Sequence, residues 1–130
     1  MSVIVSKRQP QKYDSLTKAI ILARYTITIC MNEKNFPKKF RWILTKDIVN
    51  ESLHIITNLR KAANIELQTK ILKEEKYSYQ IEAYNSCESL LTLIEVAWPL
   101  MPLHEDRVEY WTGLVIDVEE AIEAWIERNK

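Results

Sequence analysis

The stretch YSYQIEAYNSCESLLTLIEVAW, residues 77–98, decides the fold class. Its apolar side chains recur at steps of three and four residues, at Tyr77, Ile81, Tyr84, Cys87, Leu91, Ile94 and Trp98. That spacing places them on one face of an α-helix, and Pro99 and Pro102 end the pattern. The stretch therefore predicts a long helix that packs one face against partner helices.

Two segments before this stretch show the same period. A first helix is predicted from near Tyr13 to about Asn32, with apolar positions at Leu16, Ala19, Ile20, Ala23, Ile27 and Cys30. A second is predicted from about Pro37 to Ala63, because proline suits the first turn of a helix and Asn64 suits its end. Its buried stripe is predicted at Leu44, Ile48, Ile55, Leu59 and Ala62.

A fourth helix follows the two prolines. Steps of 4, 3, 4 and 3 connect its apolar residues Trp111, Val115, Val118, Ile122 and Trp125, a spacing typical of helix-bundle packing. Four long helices with short links predict an all-α, antiparallel up-down-up-down bundle over residues 12–130. Residues 1–11 are predicted to form a flexible N-terminal tail.

Composition excludes several classes. A single glycine among 130 residues argues against an all-β fold and against glycine-rich phosphate loops. Cys30 and Cys87 fall in apolar patterns and are expected to be buried, reduced thiols. The longest apolar run is far too short to span a bilayer, so a soluble, cytoplasmic protein without membrane association is expected.

The charges are separated along the chain although they sum to zero. Residues 1–70 contain 13 Lys and Arg against 5 Asp and Glu, and residues 71–130 contain 5 against 13. A basic half suggests a polyanionic partner, most often nucleic acid. The acidic half suggests a basic partner or self-assembly, and the alternative is that both halves are solvated helix faces.

More apolar side chains are present than one stripe per helix requires. The additional positions are Ile21, Leu22, Ile29, Leu90, Leu93, Ala97, Leu114, Ala121 and Ile126. They fit either a broader core or a subunit interface, and we favour the interface.

The densest cationic cluster lies between the first two helices. It consists of Lys34, Lys38, Lys39, Arg41 and Lys46. Lysines in the first turn of a helix oppose its dipole, so their presence there suggests an anionic ligand near exposed backbone N–H groups. Phe36 and Trp42 flank the cluster and could stack on bases, although bundle-end packing is favoured for Phe36.

Catalysis has little support in the sequence. His54 is four residues from Asn50 and Asn58 rather than from a carboxylate, and His104 precedes the acids Glu105 and Asp106 at a helix start, where acids suit the dipole. No pair of Glu-x-x-His motifs suggests a di-iron site. We therefore expect a non-catalytic protein with no cofactor and no metal.

Four segments resemble one protein family: Tyr13–Thr17, Asn32–Arg41, Ala62–Asn64 and Trp125–Arg128. They are similar to the four-helix-bundle family that contains the accessory variability determinant (Avd) of diversity-generating retroelements. Proteins encoded by intervening sequences in bacterial 23S ribosomal RNA genes belong to the same broad family. The resemblance covers nearly the whole chain in helix order and length.

The resemblance implies a homo-oligomer, with a pentamer favoured. It also implies a non-catalytic partner of a reverse transcriptase that engages structured template-repeat RNA during mutagenic cDNA synthesis. Lys34, Lys38, Lys39 and Arg41 match the family's basic positions and would contact the RNA or the polymerase. Retroelement members tend to be basic overall, whereas this chain is neutral. A ribosomal-intervening-sequence protein and a protein-only interaction module therefore stay open as alternatives.

Overall fold

Four α-helices form the part of the chain that the computed structural model describes, residues 10–66 and 69–130. They are α1 (Pro10–Met31), α2 (Lys46–Ala63), α3 (Lys70–Ala97) and α4 (Glu105–Arg128). The predicted tail lies mostly outside the described residues, at 1–9, while Pro10 and Gln11 already belong to α1.

The helices pack as a ring of neighbours. α2 packs against α3, α3 against α4, α4 against α1, and α1 against α2. Short connections between successive helices make each neighbour antiparallel to the last. The predicted all-α four-helix bundle is confirmed.

The predicted core stripes of α2 and α4 are confirmed in full. Leu44, at the turn before α2, is 6 % exposed, and the other nine predicted residues of these two stripes are at most 3 % exposed. Trp111 is fully buried near the start of α4, where its Nε1 donates a hydrogen bond to Oγ1 of the fully buried Thr26 over 2.9 Å. Each of these helices therefore presents the face that its apolar spacing predicts.

The predicted stripe of α3 is confirmed at Cys87 and Ile94, but elsewhere the buried side chains lie one residue before the predicted ones. The buried positions are Lys76, Gln80, Ala83, Ser86, Cys87, Leu90, Ile94 and Ala97, whereas Tyr77 and Trp98 are exposed. Apolar side chains occupy two adjacent edges of this helix, so spacing alone fits either edge. The edge that faces the core contains the small residues Ala83 and Ala97, which leave room for neighbouring helices.

Most of the surplus apolar residues, for which a subunit interface was favoured, belong to the core of this chain. Five of them are buried, namely Leu22, Ile29, Leu90, Ala97 and Ala121. Leu93, Leu114 and Ile126 are partly buried against the same core, and Ile21 alone of the set is exposed. The core stripe is thus broader than one seam, and the five buried residues are not available for a subunit interface.

Both cysteines are free and buried, as expected. Burial raises the pKa of the Cys30 thiol to about 12. Burial also raises the pKa of Cys87, with a smaller contribution from the negative charges of Glu119 and Glu88. The thiolate forms are thus disfavoured at both positions.

Candidate functional site

The connection between α1 and α2 is a firmly held turn. The backbone N–H groups of Asn35 and Phe36 donate to the carbonyl of Asn32, both over 2.9 Å. The Asn32 side-chain oxygen accepts from the N–H of Lys34, also over 2.9 Å. Phe36 is 3 % exposed and packs edge-to-face on Trp111, with 6.1 Å between ring centroids. Phe36 therefore belongs to the core, as predicted, and anchors the turn.

The second helix does not begin at Pro37 as predicted. Pro37 precedes a 3₁₀ turn over Lys38–Phe40, a π-helical turn covers Arg41–Thr45, and α2 starts at Lys46. The Lys46 N–H donates to the Arg41 carbonyl, so the α-helix continues from the turn before it. The predicted helix start is therefore a 3₁₀ turn rather than the first turn of an α-helix, and an anion site at its N–H groups stays a prediction.

The five predicted cations all lie exposed on this segment. We call Lys34, Lys38, Lys39, Arg41 and Lys46 the basic connection. Lys38 pairs with Glu33 over 3.5 Å between two exposed side chains, an interaction of small energy in water. Neither Lys34 nor Arg41 forms an ion pair with any other described residue. The segment thus keeps a surplus of accessible positive charge.

An exposed aromatic ring lies within the basic connection. Trp42 is 76 % exposed and Ile43 is 73 % exposed, because both project from the π-helical turn while Leu44 points into the core. The Lys46 ammonium lies 5.9 Å from the Trp42 ring centroid, and the Lys39 ammonium lies 5.3 Å from that of Phe40. An accessible indole beside several cations can stack on a base while the cations contact phosphates.

Lys38 and Arg41 also flank a cavity of about 360 Å³. Cys30, Phe36 and Thr45 contribute to its wall, and the Thr45 hydroxyl is buried without a hydrogen-bond partner. The cavity gives the basic connection a concave side next to the convex surface that presents Trp42.

The acidic residues lie on the other pair of helices. α4 contains eight Asp and Glu against two Arg, and the ring order places α3 and α4 side by side. The charge separation along the sequence is therefore also a separation in space.

One carboxyl group of α4 is buried. Glu119 is 7 % exposed, whereas Glu120, Glu123 and Glu127 are exposed. Its pKa is raised to about 8, first by burial, then by a hydrogen bond with Glu88 and by the charges of Glu88 and Glu123. Glu119 thus favours the protonated form at neutral pH.

Comparison with known proteins gives no matching family model, no matching curated protein and no matching solved structure. Functional inference therefore rests on the residues of this chain.

Two further properties of the described helices bear on function. None of the helices within residues 10–66 and 69–130 has the length and apolar character that a bilayer crossing requires. Over the same ranges, no three His, Cys, Asp or Glu side chains are grouped as metal ligands would be.

Proposed function

We propose that this chain is a non-catalytic accessory protein of a diversity-generating retroelement, acting in the cytoplasm. In this role it binds the reverse transcriptase and structured template-repeat RNA and supports mutagenic cDNA synthesis. The four-helix architecture agrees with what the family resemblance implies, and the basic connection supplies a surface for a polyanion.

The basic connection is the observation that carries the proposal. Five exposed cations lie within thirteen residues, 34–46, around an indole that is 76 % exposed. Burial of Phe36 and Leu44 holds this surface in place, so its cations are presented without a large ordering cost on binding. Phosphates would contact the lysines and Arg41, and a base would stack on Trp42.

Assembly into a ring, with a pentamer favoured, is part of the same proposal. A cyclic assembly joins one face of a protomer to a different face of the next. The basic α1–α2 side and the acidic α3–α4 side are complementary in charge, so such contacts would place unlike charges together. The basic connection of each protomer would then lie at one rim of the ring.

The decisive experiment measures RNA binding by the triple variant Lys38→Ala, Lys39→Ala, Arg41→Ala. Fluorescence anisotropy with a labelled RNA hairpin, repeated over a salt series, gives both the affinity and its salt dependence. Loss of three phosphate contacts should reduce the magnitude of the salt dependence, which is the slope of the logarithm of the RNA association constant against the logarithm of salt concentration, by about two to three.

The matched control removes three cations elsewhere, with Lys18→Ala, Arg24→Ala and Arg60→Ala. This control changes the net charge equally but leaves the basic connection intact. Equal RNA affinity for the parent and the triple variant would show that the basic connection is not the RNA surface. Equal loss in both variants would show that net charge alone attracts the RNA.

A protein-only oligomeric module is the second candidate, and the separation of charge between the two helix pairs favours it. In that case the cations of the basic connection pair with acidic residues of a neighbouring subunit. Light scattering at low and high salt distinguishes the candidates, because such an oligomer dissociates as salt screens its contacts and the protein binds no RNA near physiological salt. A ribosomal-intervening-sequence protein would have the same fold. The position of the gene in the genome would distinguish it from a retroelement accessory protein.

A further inference from the structure

A second cluster of cations surrounds a cavity at the opposite end of the bundle. The cavity measures about 420 Å³ and lies between the start of α3 and the end of α4. We call it the lysine cavity, and the residues that matter here are Lys70, Lys73, Tyr77, Gln80, Asn129 and Lys130. Steps of three, four and three place the four α3 residues along one helix face.

Two amide groups on this cavity lack hydrogen-bond partners. Gln80 is 1 % exposed, and its Nε2 has no partner. The Asn129 Nδ2 is also buried and has no partner. A buried polar group without a partner is costly, and a ligand in this cavity could supply the missing hydrogen bonds.

Positive charge collects at the mouth of the cavity. Lys70 and Lys73 are exposed in the first turns of α3, where cations oppose the helix dipole. Lys130 is exposed and pairs with Glu127 over 3.2 Å, and Glu74 is the one carboxylate on the wall. The mouth therefore keeps a net positive charge that an anion would neutralise.

The interior of the cavity offers a different chemistry from its mouth. Tyr77 is half-exposed and Ile126 is partly buried, so the wall includes an aromatic ring and an aliphatic side chain. Lys76 also lines the cavity, but it is 5 % exposed, donates to the Ile65 carbonyl over 3.0 Å and lies 5.0 Å from the Trp125 ring centroid. The Lys76 ammonium is therefore already held by the protein, whereas Lys70 and Lys73 are exposed and can face a ligand.

These features point to one class of ligand. A cavity of about 420 Å³ is within the range of small-molecule sites and larger than a bare phosphate needs. Side-chain amides form paired hydrogen bonds with the edge of adenine, aromatic rings stack on bases, and lysines bind phosphate as point charges. We propose that the lysine cavity binds a purine nucleotide, with the base against Gln80, Asn129 and Tyr77 and the phosphate at Lys70 and Lys73.

Isothermal titration calorimetry with AMP tests this proposal, with adenosine and inorganic phosphate as comparison ligands. We expect AMP to bind the parent protein about tenfold more tightly than adenosine, because the lysines contact the phosphate. Inorganic phosphate is expected to bind weakly, because it leaves the amides unpaired. Absence of AMP binding, or equal binding of phosphate and AMP, would overturn the proposal.

Variants locate the site. Gln80→Leu and the double variant Lys70→Ala, Lys73→Ala should each weaken AMP binding about tenfold. If Gln80→Leu fails to fold, Tyr77→Ala at the half-exposed ring replaces it with the same expectation. AMP binding that none of these changes weakens would place the nucleotide elsewhere and overturn the proposal.

The basic connection provides the matched control. The triple variant Lys38→Ala, Lys39→Ala, Arg41→Ala should bind AMP as the parent does, and the Lys70 and Lys73 double variant should bind the RNA hairpin as the parent does. The triple variant is also titrated with a short single-stranded RNA. If this variant binds AMP but not the RNA, the ligand of the lysine cavity is a free nucleotide rather than the end of an RNA chain. This crossed design keeps failure of the nucleotide proposal distinct from failure of the proposed RNA function.

Discussion

The two ends of the bundle both present cations beside a cavity, but at the α1–α2 end that cavity adjoins a convex turn with an exposed tryptophan. At the α1–α2 end, the cations stand on a convex turn beside the exposed ring of Trp42. At the other end, the lysines surround a cavity that contains the buried amide of Gln80. A convex cationic surface suits an extended polyanion, whereas a cavity with unpaired amides suits a small ligand that can enter it. Charge count alone would treat these two ends as equivalent.

Replacement of Trp111 by alanine should have the largest effect, on the α1–α2 end. Trp111 is fully buried, packs under Phe36 and bonds to Thr26. We expect a loss of about 3–5 kcal/mol in the free energy of unfolding, measured by urea denaturation. Trp111→Phe keeps an aromatic ring and should cost less, so equal losses in the two variants would contradict the packing described here.

The buried carboxyl of Glu119 should make stability depend on pH. Its pKa is raised from 4.5 to about 8 by burial and by Glu88, so between these values the folded chain holds a proton that the unfolded chain has released. Stability is therefore expected to be highest near and below pH 4.5 with respect to this group, and to fall as pH rises toward 8. Urea midpoints over this range provide the measurement.

Glu119→Gln should remove that part of the pH dependence, while the exposed neighbour Glu120→Gln serves as control. If the urea midpoints of the parent and of Glu119→Gln changed in parallel with pH, the raised pKa of Glu119 would be contradicted. Glu119 lies on the acidic helix pair, so Glu119→Gln should leave ligand affinity unchanged at both the basic connection and the lysine cavity.

Replacement of Trp42 by alanine separates binding from stability at the convex end. The ring is 76 % exposed, so the free energy of unfolding should change by less than about 0.5 kcal/mol. RNA affinity should fall by about 1–3 kcal/mol if a base stacks on the indole, measured by anisotropy. Trp98→Ala, at another exposed tryptophan, is the matched control. Equal RNA affinity in both variants would show that Trp42 does not contact the RNA.

Replacement of Gln80 by leucine, at the concave end, should not lower stability. The unpartnered amide is lost and an apolar group fills a similar volume, so stability should stay unchanged or rise by about 1 kcal/mol. Ser15→Ala is a fitting control, because the Ser15 hydroxyl is also buried without a partner and lies outside the lysine cavity. A large loss of stability in Gln80→Leu would mean that the amide has a structural role.

The sequence predicted the helices where apolar residues follow a single edge. The stripes of α2 and α4 show this, because each has one dominant seam. α3 has two adjacent apolar edges, and its core face includes Lys76 and Gln80, which apolar spacing does not count. The displacement by one residue follows from that omission.

The candidate sites were predictable to different degrees. The basic connection is local in sequence, so its five cations could be named, but the π-helical turn that exposes Trp42 depends on how Phe36 and Leu44 enter the core. The lysine cavity joins residues that are far apart in the chain, such as Lys70 and Asn129. Its one local signal was the helical spacing of Lys70, Lys73, Tyr77 and Gln80.

An even number of antiparallel helices returns the chain to the end from which it started. α1 begins and α4 ends at the same end of the bundle, and these two helices are direct neighbours in the ring. A linker could therefore join Lys130 to Pro10, with new termini opened between α3 and α4 at the exposed Pro102. Such a circular permutant would keep every helix neighbour and leave the basic connection uncut.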